Sequence, residues 1–248
     1  SEEAYTVEKL SDGYGLRMAL ADLKGVSAAE IAQILESRAL GGSFISLIDF
    51  WQRASVSRPV AERLVLAGAF DQVHQIGTET TRRRGQLTRR DLLLQIGDFE
   101  QTRRASQRSR SRRSASLSGS AKEVRSHQLA LDLGEAPQHA HGLREMSAAD
   151  RVSAELEILG LDVSQHAIDF YADFLVALGV VRSDQLLAVR NRSEVWVAGV
   201  KVATQTPPLR SGRRVIFLTV EDSTGPIDAT FFENVQDSAA ATVFGSWL

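Results

Sequence analysis

The chain has 248 residues, of which 43% are hydrophobic and 24% charged, a balance typical of a soluble globular protein large enough for more than one core. Its formal net charge of −2 offers no global attraction to nucleic acid, so any such binding must come from a local charge pattern. The sequence has no cysteine, which excludes disulfides and thiolate sites, and no apolar run long enough for a membrane span or signal peptide, so we expect a cytoplasmic protein.

The first predicted elements form a helix-hairpin-helix unit around the stretch ADLKGVSAAEI. The spacing of GLRMALADL, residues 15–23, predicts a short first helix, and Ser27 with Glu30 predicts a capping box that begins the second. Gly25 permits the sharp reversal between them. Unpaired amides at the start of the second helix would point outward beside Lys24, a geometry that binds an anion such as a backbone phosphate. The same spacing also fits a purely structural turn between two helices.

Eleven arginines and only three acids lie between residues 82 and 113, which gives this stretch a local charge of +8. Its serine-rich end, ASQRSRSRRSASLSGSA, has too few apolar residues to offset the entropy of ordering it. We therefore predict a disordered linker over about 100–145, with LLLQI before it as the end of a helix. The arginines can be interpreted as contacts to backbone phosphates or as a solubilising spacer.

Order is predicted to return at MSAADRVSAELEILG, where Ser147 and Asp150 can cap a helix that Gly160 ends. The stretch AIDFYADFLVALG predicts a second helix that stops at Gly179. Three strands follow, in EVWVAGVKVATQ, RRVIFLTVED and GPIDATFFEN, because apolar, β-branched and aromatic residues recur there between turn signals. The glycine-containing connection over 222–226 predicts a hairpin between the second and third strands.

These residues resemble a known family. The stretches LKGVS, GSFISLIDF and AGAFD occur in the order of the tandem helix-hairpin-helix region of bacterial C-family DNA polymerases, the polymerase III alpha type. The stretch VWVAGVKVATQTPPLRSGRRVIFLTVEDSTGPIDATFFENV is similar to the OB-fold that follows those hairpins. With GLDVSQHAIDFYADFL and the basic loop PPLRSGRR, the sequence looks most like the error-prone, DNA-damage-associated branch of that family.

The resemblance implies an α+β protein in four parts. These are an all-α helix-hairpin-helix region over 1–98, a basic disordered linker over 99–145, connecting helices over 146–190 and an OB-fold over 191–248. An OB-fold has five strands and few residues remain after TFFENV, so we expect an incomplete barrel.

The same resemblance implies DNA-binding residues in both ordered regions. In the first hairpin they are Lys24, Gly25, Val26 and Ser27, although Ser27 stands where the family has a second glycine. In the OB-fold they are Lys201, Arg210, Arg213 and Arg214, with Phe217 and Phe231 as candidate platforms for stacked bases if their strand face is exposed. The second hairpin has an acid, Asp71, where a donor would be needed, so we predict that it is structural and that Phe70 lies in the core.

A short peptide within the predicted linker resembles the sliding-clamp-binding motif of bacterial clamp partners. It is QLALDL, in which Gln128 would fill a polar site while Leu129, Leu131 and Leu133 supply the apolar residues. A chance match of six residues is the alternative, and the residues alone leave both open.

The implied function is that of a DNA-binding C-terminal portion of an error-prone polymerase, which holds duplex and single-stranded template during synthesis and damage-induced repair. No three-carboxylate set for nucleotidyl transfer is recognisable, and we interpret Asp49, Asp71 and Asp91 as solvated faces and caps. We therefore expect no cofactor or metal site in this chain, while the parent polymerase would use magnesium. The expected partners are DNA, a sliding clamp and other translesion-synthesis proteins. The alternatives are a clamp-tethering or mutasome scaffold and, third, an RNA-binding OB protein.

Overall fold

A computed structural model describes five stretches of the chain, residues 1–10, 13–77, 86–116, 140–207 and 215–245, with the backbone alone over 106–116. The chain divides into two compact units, Ser1–Leu161 and Asp162–Leu248, and each is described by itself. None of the helices in the described stretches combines the length and apolar character needed to cross a membrane.

The first unit is mainly helical and opens with a small antiparallel hairpin. Its strands are β1 (Thr6–Leu10) and β2 (Gly13–Arg17), and a single 3-10 turn follows at Leu20–Asp22. The helices are α1 (Ala28–Gly41), α2 (Leu47–Ala54), α3 (Arg58–Leu66), α4 (Asp71–His74), α5 (Arg89–Ser116) and α6 (Ala148–Ile158).

The short helix predicted over 15–23 is wrong, because its first three residues belong to strand β2. The β1 segment pairs with β2 from Thr6 opposite Arg17 to Leu10 opposite Gly13, and this ladder satisfies the backbone that a helix would have used. The Arg17 guanidinium also donates to the Glu8 carboxylate across the strands, at 2.8 and 2.9 Å. The 3-10 turn at Leu20–Asp22 therefore stands where the first helix of the helix-hairpin-helix unit was expected. It is followed by the glycine turn at residues 24–27, which is the first hairpin of that unit.

The core of the first unit joins helices that are far apart in sequence. Leu47 and Phe50 of α2, Val60 of α3, and Leu92 and Ile96 of α5 are at most 2% exposed and belong to one apolar cluster. The Phe70 ring, predicted as core, is 5% exposed and meets the Phe50 ring edge-on at 5.2 Å between centroids. The core therefore fixes the loop before α1 and the loop after α3, which carry the two candidate hairpins.

Both predicted capping boxes are present. The Ser27 hydroxyl accepts from the Glu30 amide at the start of α1, and the Ser147 hydroxyl accepts from the Asp150 amide at the start of α6. Gly160, predicted to end α6, has a φ of 77°, which a residue with a Cβ adopts only with strain.

The predicted linker is partly ordered. Helix α5 does not end at LLLQI but continues through residues 99–116, because arginine and glutamine propagate a helix once its first turns are packed. At the other end, residues 140–145 lie against the start of α5: the amides of His141 and Leu143 donate to the Asp91 carboxylate, and Glu145 accepts from the Arg89 amide.

The second unit combines short helices with a three-stranded sheet. It contains 3-10 helices at Ala167–Tyr171 and Ser183–Ala188, α7 (Ala172–Ala177), β3 (Val200–Gln205), β4 (Ile216–Asp222), β5 (Gly225–Phe231) and α8 (Glu233–Gly245). The strands form an antiparallel sheet in the order β3-β4-β5, with the predicted hairpin between the last two. This sheet is open, and no closed barrel occurs among the described residues. Helix α8, which sequence reasoning did not predict, follows β5 directly.

Strand register decides which side chains share a face of the sheet. Phe217 pairs with Gln205 on one side and Thr230 on the other, and its side chain is 41% exposed. Phe231 pairs with Ile216, and Lys201 pairs with Val220, on the opposite face. The two candidate aromatic platforms therefore lie on different faces, and only Phe217 belongs to the more polar one.

Candidate nucleic-acid interface

The first hairpin is a tight turn that requires glycine. Gly25 has a φ of 78°, and the Val26 amide closes the turn onto the Leu23 carbonyl at 3.2 Å. The Arg63 guanidinium of α3 lies over this turn, with Nη1 donating to the Gly25 carbonyl at 3.4 Å. A Cβ at position 25 would come within 2.5 Å of Arg63 Nη1, so a larger residue would displace the arginine. Sequence reasoning missed Arg63, because it lies far from the turn along the chain.

Lys24 is exposed and connects the hairpin to the end of α6. Its ammonium donates to the Leu156 carbonyl at 3.4 Å, and its backbone amide donates to the Ile158 carbonyl at 2.9 Å. A cation is favourable at this position because the last carbonyls of a helix carry the negative end of its dipole. An ammonium has three donors, so Lys24 can contact α6 and still present hydrogens to an anion in solvent.

The start of α1 already holds a carboxylate. Glu30 accepts from the Ser27 hydroxyl at 2.7 Å through one oxygen and from the amide of Ser57, the N-cap of α3, at 3.2 Å through the other. The hydrogen bonds from Ser57, followed by those from Ser27, outweigh partial burial and lower the pKa of Glu30 to about 2. The exposed amides of Ala28 and Ala29 have no hydrogen-bond partner within the described part of the chain. A phosphate could reach those amides, but it would have Glu30 as a neighbour.

Glu30 predicts a specific acid sensitivity of the first unit. Its pKa is lowered by folding, so the stabilisation is complete above the ordinary value near 4.5 and is lost as the pH falls toward about 2. We expect Glu30→Gln to flatten the fall in unfolding free energy over that pH window, as measured by urea denaturation. Glu36→Gln, at an exposed position on the same helix, is the control and should leave the parental pH profile. Identical profiles for parent and Glu30→Gln would contradict the prediction.

The second hairpin, Gly68 to Asp71, is held by hydrogen bonds to neighbouring protein groups, in agreement with its predicted structural role. The Arg89 guanidinium contacts the Asp71 carboxylate at 2.6 to 3.2 Å and donates to the Leu66 carbonyl at 2.7 Å. Gly68, with a φ of 80°, leaves room for it, since a Cβ there would lie 2.5 Å from Arg89 Nη2. This hairpin has its hydrogen-bonding groups turned to the protein rather than to a ligand.

The structure distributes the arginine run among different roles. Arg89 is 5% exposed and pairs with Asp71, so neither interpretation of the arginine run, phosphate contact or solubilising spacer, applies to it. Arg90 pairs with Asp150 at 3.1 Å, and Arg103 and Arg104 both pair with Glu100 at 2.7 Å. Residues 82–84 lie outside the described residues.

The predicted DNA-binding residues of the second unit are not brought together on one described surface. The Lys201 ammonium donates to the Val243 carbonyl at 3.1 Å, near the end of α8, and belongs to the face opposite Phe217. Arg210, Arg213 and Arg214 lie outside the described residues, as do Gln128, Leu129, Leu131 and Leu133 of the clamp-like peptide.

The scattered aspartates have structural roles. Asp49 accepts from the Ile45 amide at 3.1 Å and pairs with Arg53 at 2.9 Å, and Asp71 pairs with Arg89. Asp91, predicted as a cap or a solvated side chain, is a cap but is 0% exposed. Within the described residues, no group of three or more histidine, aspartate or glutamate side chains is placed to hold a metal ion.

Comparison with known proteins agrees with the hairpin geometry. The helix-hairpin-helix motif family matches residues 1–84. The chain is 32% identical over 98% of its length to an error-prone DNA polymerase of Symbiobacterium thermophilum, of which it covers 23%. It is 26% identical over 97% of its length to error-prone DNA polymerase 2 of Agrobacterium fabrum, covering 20% of that protein, and 25% identical over 91% to the DNA polymerase III subunit alpha of Vibrio cholerae, covering 18%. The chain thus spans less than a quarter of each of these relatives.

Proposed function

We propose that this chain holds DNA during DNA synthesis and damage-induced repair, and that it does so without recognising the base sequence. The proposal rests on homology over nearly the whole chain to part of the error-prone DNA polymerases. The observation that carries the proposal is the exposed first hairpin, where Lys24 and Arg63 flank the glycine turn. Two cations beside the unpaired amides of a helix start favour a backbone phosphate, even with one carboxylate nearby.

The hairpin is suited to positioning duplex DNA. Its donors are main-chain amides, an ammonium and a guanidinium, which contact phosphates whatever the base sequence. Lys24 is held by its contact to α6 and Arg63 by its contact to the Gly25 carbonyl, so little flexibility is lost when a phosphate binds. We therefore assign duplex contact to the first unit.

For the second unit we propose contact with single-stranded template through the face that contains Phe217. An aromatic side chain that is 41% exposed can stack on a base of any sequence. Glu221 and Asp228 share that face, so cations that contact phosphates would have to come from elsewhere in the unit. Arg210, Arg213 and Arg214 remain the proposed source of these contacts.

The wider activities of the relatives remain proposals for this chain. DNA-templated nucleotide addition would require magnesium, and the described residues do not fit that metal, since they bring no three metal-ligating side chains together. Binding of a sliding clamp by Gln128, Leu129, Leu131 and Leu133, and contact with other translesion-synthesis proteins, are proposed on the family resemblance alone.

The hairpin proposal predicts a loss of duplex binding on removal of its two charges. In the full chain, Lys24→Gln with Arg63→Gln should weaken binding to a labelled duplex and leave sequence preference unchanged, as measured by fluorescence anisotropy. The slope of log affinity against log salt should fall by up to roughly 2, since each phosphate contact contributes about 0.9. Glutamine keeps a polar side chain of similar length, so the unfolding free energy should change little.

The matched control is Lys9→Gln with Arg144→Gln, which removes the same charge from two other exposed positions. This control should bind duplex DNA as the parent does. Equal affinity and salt slope for parent and hairpin variant would contradict the proposal. A chain that binds protein partners but no DNA would instead favour the scaffold function.

A further inference from the structure

Helix α5 consists of two halves with opposite character. The first half is packed, with Leu92 and Ile96 fully buried and Glu100 7% exposed. Every side chain of the second half that the structure describes, over 101–105, is exposed. Residues 101–116 contain six arginines and no acid, so this distal half of α5 is a strongly basic helix that extends past the core.

The distal half of α5 has a low intrinsic tendency to form a helix. It has no apolar stripe to bury, its serines compete for backbone hydrogen bonds, and Arg104, Arg108 and Arg112 follow one another at the repulsive i, i+4 spacing. Its helical backbone is continuous with the packed half, which supplies the costly nucleus. A bound polyanion would remove the repulsion and stabilise the same helix.

We propose that the distal half of α5 is a phosphate-binding helix that contacts the backbone of duplex DNA, an inference that rests on the proposed DNA-holding function. Residues 103–113 span about 15 Å as a helix and carry six positive charges, of which those of Arg103 and Arg104 pair with Glu100. Duplex DNA presents one negative charge per about 1.7 Å of its axis, so the two charge densities are comparable. All six cations are arginines, whose planar guanidinium can donate two hydrogen bonds to one phosphate.

The packed half of α5 makes the basic half part of the first unit rather than a free tail. Asp91 caps the helix and holds the chain segment that returns to it, and Leu92 and Ile96 lie in the same apolar cluster as α2 and α3. The backbone that carries the arginines therefore has a fixed direction relative to the core. A flexible tail of the same composition would lack this constraint and would bind through charge alone.

The charge test uses the full chain with Arg108→Gln, Arg110→Gln, Arg112→Gln and Arg113→Gln. Arg103 and Arg104 are retained because they pair with Glu100. We expect weaker duplex binding and a salt slope lowered by roughly 2 to 3.6, at about 0.9 for each phosphate that the variant no longer neutralises. The control is the removal of four other exposed charges, in Lys9→Gln, Arg144→Gln, Arg190→Gln and Arg192→Gln, which should leave the slope close to that of the parent. An unchanged slope for the α5 variant would overturn the proposal.

A second variant tests whether the helix itself matters. Ala105→Gly with Ser109→Gly and Ser111→Gly keeps every charge and weakens the helix, so it should lower duplex affinity severalfold and reduce the gain in helicity on DNA binding, measured by circular dichroism. Parental affinity in this variant would show a charged tail and overturn the helical proposal, as would preferential binding of an acidic peptide over DNA.

The hairpin variant separates the two proposals. If Lys24→Gln with Arg63→Gln lowers the slope and the α5 variant does not, the DNA-holding function stands and the α5 inference fails. If the parent binds no duplex DNA at low salt, both fail.

Discussion

Arg89→Met is expected to destabilise the first unit by about 3 to 5 kcal/mol, the cost of breaking a buried ion pair by removing one partner. Arg89 contacts the Asp71 carboxylate and the Leu66 carbonyl from a side chain that is only 6% exposed. Methionine fills much of the volume but supplies no donor. It leaves a carboxylate that is 22% exposed with its charge unpaired and a helix-end carbonyl without its partner.

The measurement is chemical denaturation of the full chain, with Arg90→Met as the control. Arg90 is the next residue and pairs with Asp150, but both side chains are close to half exposed, so its loss should cost less than about 1 kcal/mol. In a double-mutant cycle, Asp71→Asn should cost much less in the Arg89→Met background than in the parent. Equal costs for Arg89→Met and Arg90→Met would show that the second hairpin does not depend on the buried pair.

Local signals predicted the elements that short-range interactions determine. Ser27 with Glu30 and Ser147 with Asp150 each lie within one helical turn, so a three-residue spacing is enough to recognise both capping boxes. The three strands of the second unit were found in the same way, from a period of two between turn residues. The acid at Asp71, where a phosphate contact would need a donor, likewise predicts a structural hairpin with Phe70 in the core, and Phe70 is 5% exposed.

Partners that are distant along the chain could not be predicted in this way. Lys24 beside a glycine turn has the spacing of a phosphate contact, but a lysine also suits the last carbonyls of a helix, and Leu156 is one of these. Lys201 meets the Val243 carbonyl through the same chemistry. In both cases the sequence identifies a cation with available donors, and only the tertiary fold shows which acceptor it has.

The β1-β2 hairpin and helix α5 show that tertiary contacts can override local structural preference. Residues 15–17 have helical spacing but pair with β1, because an adjacent strand satisfies their backbone first. The first residues of the predicted linker have a composition typical of disorder but continue a helix, because α5 is nucleated by packed residues before them. In each case the deciding interaction lies outside the stretch whose composition suggested otherwise.

Asp91→Ala is expected to destabilise the first unit by on the order of 3 kcal/mol, because one fully buried carboxylate organises two chain segments. One oxygen accepts from the amide and hydroxyl of Thr88, at 3.1 and 2.9 Å, and caps α5. The other accepts from the amides of His141 and Leu143, at 3.1 and 3.4 Å, and holds the returning chain. Alanine removes these acceptor contacts and leaves the donors without the charged partner that offset their burial.

This loss should be visible locally as well as globally. Hydrogen exchange at the amides of His141 and Leu143 should become faster in Asp91→Ala, whereas Asp98→Ala, an exposed position on the same helix, should change neither exchange nor unfolding free energy appreciably. Unchanged protection at both amides would mean that the returning segment is held by other contacts, such as Glu145 with the Arg89 amide. Because the same carboxylate caps the helix that presents the distal arginines, the variant should also weaken duplex binding if those arginines act from a fixed helix.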